Sequence, residues 1–388
     1  MAKDRILVLG EWAAKRLSEL LKQNILPAHL DIRILAGDAS FRRYFRVELA
    51  IGNAQPPQSF VLVDAPPPES LEPFVSIALA YAEANVRVPK VLASDAKLGV
   101  MLLEDFGDEL FYQRATTADK PEQYYQRAIA ELPAIMRVLE HRQGTLPAYD
   151  EALLRRENAL FSDWLVGTHL QLELSPAEQK LWQGFSDRLV ENALQQPQVG
   201  VHRDYHSRNL MLLNAPETQL GVIDFQDAVC GPITYDLVSL LRDCYVVWPD
   251  KMVQELSQHG YKALQAAGIL PSSVSEAQWQ HWFDWMGLQR HTKASGIFAR
   301  LYHRDGKSGY LNDIPATVDY LRRVASKYPE LTDYSDWLQQ RIIPAIDAYS
   351  ERTAQSAQTA QSAQTAQSAE TAQSERNAQS ASSAENSK

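Results

Sequence analysis

The stretch from Gly200 to Asp236 constrains this chain more than any other, because chemically reactive side chains there alternate with short apolar runs. It reads Gly-Val-His-Arg-Asp-Tyr-His-Ser-Arg-Asn-Leu-Met-Leu-Leu, then Gly-Val-Ile-Asp-Phe-Gln-Asp, then Gly-Pro-Ile-Thr-Tyr-Asp-Leu. Leu210 to Leu213 and Val222 to Ile223 suit strands, and a turn near Asn214 to Thr218 joins them. Such a hairpin brings Asp204, Asn209 and Asp224 to one end. One carboxylate then stands ready to take a hydroxyl proton, while an Asn and an Asp are ready to hold Mg²⁺ against phosphates. That is the equipment of phosphoryl transfer. The bland reading makes Asp204 a turn acid, Asn209 a strand cap and Asp224 a loop residue. It requires all three to meet by coincidence.

Composition narrows the setting. A chain of 388 residues with 45% hydrophobic content can form two or three compact units around a sizeable core. The formal net charge is -10, and the low-complexity end contributes almost none of it. An acidic body does not suit a nucleic-acid binder. There is no long apolar run to span a membrane, and the N-terminal apolar run is too short for a secretory signal. The expectation is a cytoplasmic protein, a monomer or weak dimer, with no nucleic-acid or membrane partner. Cys230 and Cys244 read as a buried reduced pair in or beside a helix.

Residues 1–103 read as one lobe. A helix runs from Gly10 to Leu21. Strands follow at Ile32 to Leu35, around Phe41 to Val47, at Phe60 to Val63, Val91 to Ala93 and Gly99 to Leu103. A helix spans about Leu71 to Ala84. The small, polar turn Gly37-Asp38-Ala39-Ser40 lets backbone N–H groups approach a phosphate. Residues 104–108 read as a hinge whose backbone at Glu104 to Phe106 can pair with an adenine edge. Asp105-Phe106-Gly107 shares its letters with a kinase metal motif, but it precedes Asp204, whereas the metal-binding Asp should follow the base. Residues 109–350 read as a helical lobe. Its helices span Pro121 to His141, Glu151 to His169, Pro176 to Gln196, Tyr235 to Val247, Lys251 to Ala267, Glu276 to His303, Pro315 to Lys327 and Tyr334 to Ser350. The aromatics Trp279, Trp282, Phe283 and Trp285 read as core. Residues 351–388 repeat Thr-Ala-Gln-Ser-Ala-Gln and carry too little apolar bulk to offset ordering entropy, so this tail is expected to be disordered.

His202-Arg203-Asp204-Tyr205-His206-Ser207-Arg208-Asn209 with Ile223-Asp224-Phe225 resembles the aminoglycoside phosphotransferase and choline kinase group, over roughly residues 30 to 345. Within it the chain is most similar to the bacterial anomeric N-acetylmuramate/N-acetylglucosamine kinases. That narrower likeness rests on Gly37 to Tyr44, His202 to His206, Asp224 to Asp227 and Gly296 to Leu301. The resemblance implies a two-lobed α+β fold of the protein-kinase type, with a small antiparallel lobe and a larger helical one. It implies ATP and Mg²⁺ as cofactors and a small-molecule sugar acceptor phosphorylated at its anomeric hydroxyl, in peptidoglycan recycling. The alternatives are an aminoglycoside, choline or other amino-alcohol kinase, and a nucleotide-binding protein without catalysis. By the same resemblance, Asp204 is the base and Asn209 and Asp224 are the metal ligands. Gly37, Asp38, Ala39, Ser40, Glu104 and Phe106 face the nucleotide, and His202 and Asp236 support the loop. His206 either reaches the phosphate or braces the loop, Asp227 orients substrate or joins the metal shell, and Arg300 lies on the substrate side. Two departures from protein kinases stand out. Asp224 to Asp236 is too short for a peptide-docking segment, which favours a small acceptor. The third strand offers Asp64 where a phosphate-holding Lys is expected, leaving Arg42, Arg43 and Arg46 as candidate replacements.

Overall fold

The computed structural model describes residues 2–35, 42–49, 58–213, 220–353 and 355. The expected phosphate turn Gly37 to Ser40, the turn Asn214 to Thr218 and nearly all of the expected disordered tail lie outside the described residues. The chain divides into two compact units, Met1–Glu157 with Ser186–Arg290, and Asn158–Phe185 with His291–Lys388.

In the first unit, five antiparallel strands form one sheet: β1 (Leu30–Ile34), β2 (Arg43–Leu49), β3 (Ser59–Asp64), β4 (Val91–Asp95) and β5 (Val100–Glu104), in the order β1-β2-β3-β5-β4. Period-two alternation gives each face its own partner. Leu62, Val100 and Leu102 pack with Leu9, Trp12, Ala13 and Leu17 of α1 (Ala2–Leu21). Val63, Met101 and Leu103 join Phe74, Ile77 and Tyr81 of α2 (Glu72–Glu83). α1 starts well before Gly10, because the run Ile6 to Leu9 continues the helix and Leu9 reaches the core.

An irregular segment after β5 leads to α3 (Phe111–Thr117), a helix that the sequence pattern does not predict, and to α4 (Pro121–Met136). A short ladder, β6 (Glu140–His141) with β7 (Gly144–Thr145), precedes α5 (Glu151–Leu160), which runs on as π-helix over Phe161–His169. α6 (Pro176–Gln195) leads into β8 (Gln198–Val201). The expected hairpin is β9 (Leu210–Leu212) against β10 (Leu220–Val222), and β11 (Val229–Pro232) returns to pair with β8. α7 (Tyr235–Leu241), α8 (Asp250–Ala266) and α9 (Glu276–Asp305) follow, with Trp279 and Phe283 fully buried as core.

Two expectations are corrected. The helix beginning at Tyr235 ends at Leu241, not Val247. Asp243 breaks it by turning its carboxylate back to accept the N–H of Tyr245 at 3.0 Å, and Pro249 disfavours helix at Trp248. Cys230 lies on β11, and Cys244 lies in the loop just after α7. Neither forms a disulfide, and both are only partly buried, not buried as expected.

The second unit is helical and aromatic. Phe161 stacks on Trp182 with centroids 4.8 Å apart, Phe185 on Tyr334 at 3.6 Å, and His291 on Tyr320 of α10 (Ile314–Ala325) at 3.8 Å. Trp337, at the end of α11 (Thr332–Trp337), donates its indole N–H to Glu178 at 3.0 Å. Among the described residues no helix is long and apolar enough to cross a membrane.

Gly200 lets β8 lie directly on the end of α4. A Cβ there would fall on the carbonyl oxygens of Val138 and Ile135, which are backbone and have little freedom to retreat. Gly200→Ala should therefore cost about 2–3 kcal/mol in urea unfolding, the scale of overpacking. A stability equal to that of the parent would show that the contact relaxes freely.

Candidate active site

Chain direction and hairpin register bring the key side chains together. Leu210 pairs with Val222, so Asn209, just before β9, and Asp224, two residues past β10, share one end. The Asn209 amide donates to the Asp224 carboxylate at 3.2 Å and to the Asp204 carbonyl at 3.0 Å. The Asn209 carbonyl accepts the Ile223 N–H at 3.1 Å, which ties loop to hairpin through backbone as well. Gln226 donates to the other Asp224 oxygen at 2.8 Å. Asp204, Asn209 and Asp224 are therefore one cluster within the first unit.

The loop carrying Asp204 is held in an otherwise costly shape. Arg203 has φ 77° and Asp224 φ 65°, both in the left-handed region that non-glycine residues rarely adopt. Asp236, at the start of α7 and buried, accepts the N–H of His202 at 2.7 Å and of Arg203 at 3.1 Å. Burial drives its carboxyl up to about 7, while those two N–H donors and Arg290 pull the other way. His202 is fully buried, and desolvation holds its imidazole down at about 4. The neutral ring donates from Nε2 to the Ile223 carbonyl at 3.1 Å and accepts the Asp204 N–H at Nδ1 at 3.3 Å. It thus links the two acidic positions.

Three supports have no signal in the sequence. Asp243 accepts the Ser207 N–H at 3.0 Å and bonds its hydroxyl. Arg290, on α9, donates to the Arg203 carbonyl at 2.9 Å. Glu157, on α5, pairs with Arg203 at 2.5 Å. Each approaches from an element distant in sequence.

The other expected site residues scatter. His206 lies against Asn209, with Nε2 3.4 Å from the amide, and burial lowers its pKa. Asp227 is exposed, and its backbone carbonyl is 3.5 Å from Arg203. Glu104 closes β5 paired with Arg87. The Phe106 ring lies under the Arg87 guanidinium at 4.7 Å and so close to Gly221 that a Cβ there would stand 2.5 Å from it. Arg300 lies on the α9 segment that belongs to the second unit, where burial and Arg304 lower its pKa. Of the three candidate replacements for the third-strand Lys, Arg43 pairs with Asp64, which Arg5 also holds at 2.6 Å. Arg46 clamps Asp105 at 2.6 Å and Asp108 at 2.7 Å in the segment after β5. Arg42 is buried against Glu69 at 3.1 Å, directly before α2.

Sheet, connecting segment and helical body, with the cluster at the end of the hairpin, define a protein-kinase-like phosphotransferase. Residues 31–270 match the phosphotransferase enzyme family (APH), and the chain belongs to it. Its sequence is 41% identical over 340 residues to the N-acetylmuramate/N-acetylglucosamine kinase of Pseudomonas putida, covering 87% of this chain and 96% of that one. The enzyme of the same name from Pseudomonas aeruginosa is 43% identical over 305 residues, covering 78% and 86%. Among solved structures, Plasmodium vivax ethanolamine kinase aligns with a TM-score of 0.56 at 11% identity over 79% of this chain and 85% of that one, a likeness of fold alone.

The depressed His202 pKa gives a testable pH dependence. An unfolded histidine titrates near 6.5, so unfolded chains bind the proton that the folded ring refuses. The stabilisation is complete above about pH 6.5 and is lost as pH falls toward 4. His202→Gln should be less stable at pH 7. Between pH 7 and 4.5 its urea stability should fall by roughly 2–3 kcal/mol less than that of the parent. Equal losses in the two proteins would contradict a buried neutral ring.

Proposed function

We propose that the protein is an ATP- and Mg²⁺-dependent kinase that phosphorylates the anomeric hydroxyl of N-acetylmuramate or N-acetylglucosamine to the sugar 1-phosphate, in the cytoplasmic reuse of peptidoglycan sugars. The observation that carries the reading is the Asn209 amide bound to both the Asp204 backbone and the Asp224 carboxylate, in a chain over 40% identical to kinases of that name.

The oxygens of Asn209 and Asp224 suit a hard divalent cation. Among the described residues no three His, Cys, Asp or Glu side chains cluster as a metal cage. Mg²⁺ characteristically takes one or two protein oxygens and completes its shell with phosphate and water, so the donor set fits. When bound there, the ion supplies neutralisation of charge on the phosphate oxygens.

The chain's own groups do the rest. Asp204 accepts a hydrogen bond from the acceptor hydroxyl and takes its proton as the new oxygen–phosphorus bond forms and the bond to ADP breaks. An anomeric hydroxyl is more acidic than its neighbours on the ring, so a carboxylate is a sufficient base. His202 and Asp236 keep the Asp204 backbone still, and Gln226 and Asn209 orient the Asp224 carboxylate. The backbone at Glu104 to Phe106 receives adenine. Arg42, paired with Glu69 beside α2, is the cation best placed to serve in lieu of the third-strand Lys.

Asp204→Asn should lose turnover by roughly 10²- to 10⁴-fold while still binding ATP. Retained turnover would remove Asp204 as the base. Asp224→Ala should weaken nucleotide affinity in the presence of Mg²⁺ and erase its Mg²⁺ dependence, as read by calorimetry. A panel of sugars and amino alcohols, scored by product mass and by release of phosphate in mild acid, tests the acceptor. An acid-stable product would point to an acceptor hydroxyl other than the anomeric one.

A further inference from the structure

Arg208 sits in the catalytic loop, between Ser207 and Asn209, and is exposed. Among the described residues no carboxylate pairs with it. Its guanidinium instead lies 3.7 Å from the Tyr245 ring centroid and 5.2 Å from that of Tyr112. The arginines around it are committed elsewhere: Arg87 to Glu104, Arg203 to Glu157, Arg242 to Asp250, and Arg290 to the Arg203 carbonyl.

The surroundings of Arg208 are rigid. Tyr112 donates its N–H to the Ser207 carbonyl at 2.9 Å. One carboxylate, Asp243, receives the N–H of Ser207 and of Tyr245, each at 3.0 Å. Trp248, further along the same loop, donates to the Tyr125 hydroxyl at 2.8 Å. Stacking on a tyrosine occupies the flat face of a guanidinium and leaves its N–H edge open, a fork that matches a carboxylate. The other edge of this platform meets the active site, because His206 lies 5.3 Å from Tyr245, centroid to centroid, and touches Asn209.

We infer that Arg208, seated on Tyr245 and Tyr112, is the specificity residue that binds the carboxylate of an anionic acceptor. The inference rests on the sugar-kinase reading. N-acetylmuramate differs from N-acetylglucosamine by a lactyl ether at C3, which adds one carboxylate two ring positions from the reacting hydroxyl. A chain of net charge -10 repels such an acceptor overall, so a local cation in the catalytic loop must offset that repulsion. Arg208 supplies it without requiring an internal ion pair to break.

The test measures kcat/KM for N-acetylmuramate, its neutral methyl ester and N-acetylglucosamine, in the parent, Arg208→Gln and Arg208→Lys. The ratio of N-acetylmuramate to N-acetylglucosamine should fall by about tenfold or more in Arg208→Gln, the scale of one charge-assisted hydrogen bond. Arg208→Lys should recover part of it. Arg208→Gln should lower the value for the methyl ester much less than that for the acid, since the cycle isolates the guanidinium–carboxylate pair. A parallel fall for both sugars marks Arg208 as a brace only and overturns the inference. So does an unchanged ratio, or an effect confined to the KM for ATP. If Arg208→Gln does not fold, the parent's preference for the acid over its ester decides the matter, and equal use of the two overturns the inference. A parent that phosphorylates neither sugar refutes the acceptor reading itself, a result distinct from all of these.

Discussion

The buried carboxylate of Asp236 holds the site in shape. It accepts two consecutive backbone N–H groups, from His202 and Arg203, at the point where the chain takes a left-handed turn. Two N–H groups aimed at one acceptor require the backbone between them to bend sharply, and a non-glycine residue resists that bend. The bonds are made away from water, where an unmet donor costs more than a formed bond returns, so the strained conformer is the one that satisfies the buried groups. Asp204 inherits its direction from this turn. A carboxylate free to rotate on a mobile loop would serve poorly as a base, because alignment of the attacking oxygen supplies much of the rate.

The same logic runs outward in rings. His202, kept neutral by burial, spans from the Asp204 N–H to the Ile223 carbonyl and so couples the loop to the residue before Asp224. Asp243 holds Ser207 from the far side, and Arg290 caps the Arg203 carbonyl. Phe225, next to Asp224, packs on Phe74 and Tyr81 of α2. Polar bonds set direction and apolar contacts set position. Asp236, Asp243, Glu157 and Arg290 each reach the loop from a separate element, which rigidifies it.

The charge layout of the sheet departs from the protein-kinase arrangement of a third-strand lysine and a helix glutamate. Asp64 is locked between Arg5 and Arg43, and Arg46 staples β2 to the segment after β5 through Asp105 and Asp108. Arg46 and Asp105 thereby belong to the scaffold, and the letters Asp-Phe-Gly there mark a structural clamp. Arg42, just before β2, is paired in turn with Glu69, just before α2.

Much of this was legible in the chain itself. Apolar runs on either side of a polar turn dictate a hairpin, and a hairpin brings Asn209 and Asp224 together whatever surrounds it, because strand pairing is local. The rest waited on the tertiary structure. Nothing near Asp243 in sequence distinguishes it from an acid on a continuing helix; it becomes a clamp only because packing sets it against Ser207. Glu157 and Arg290 are in the same position, and so is Arg208, whose tyrosine seat is built from two segments far apart in the chain. Local pattern determines which residues a short turn must bring together. Which side chains arrive from elsewhere depends on the packing of distant elements, and periodicity carries no record of that.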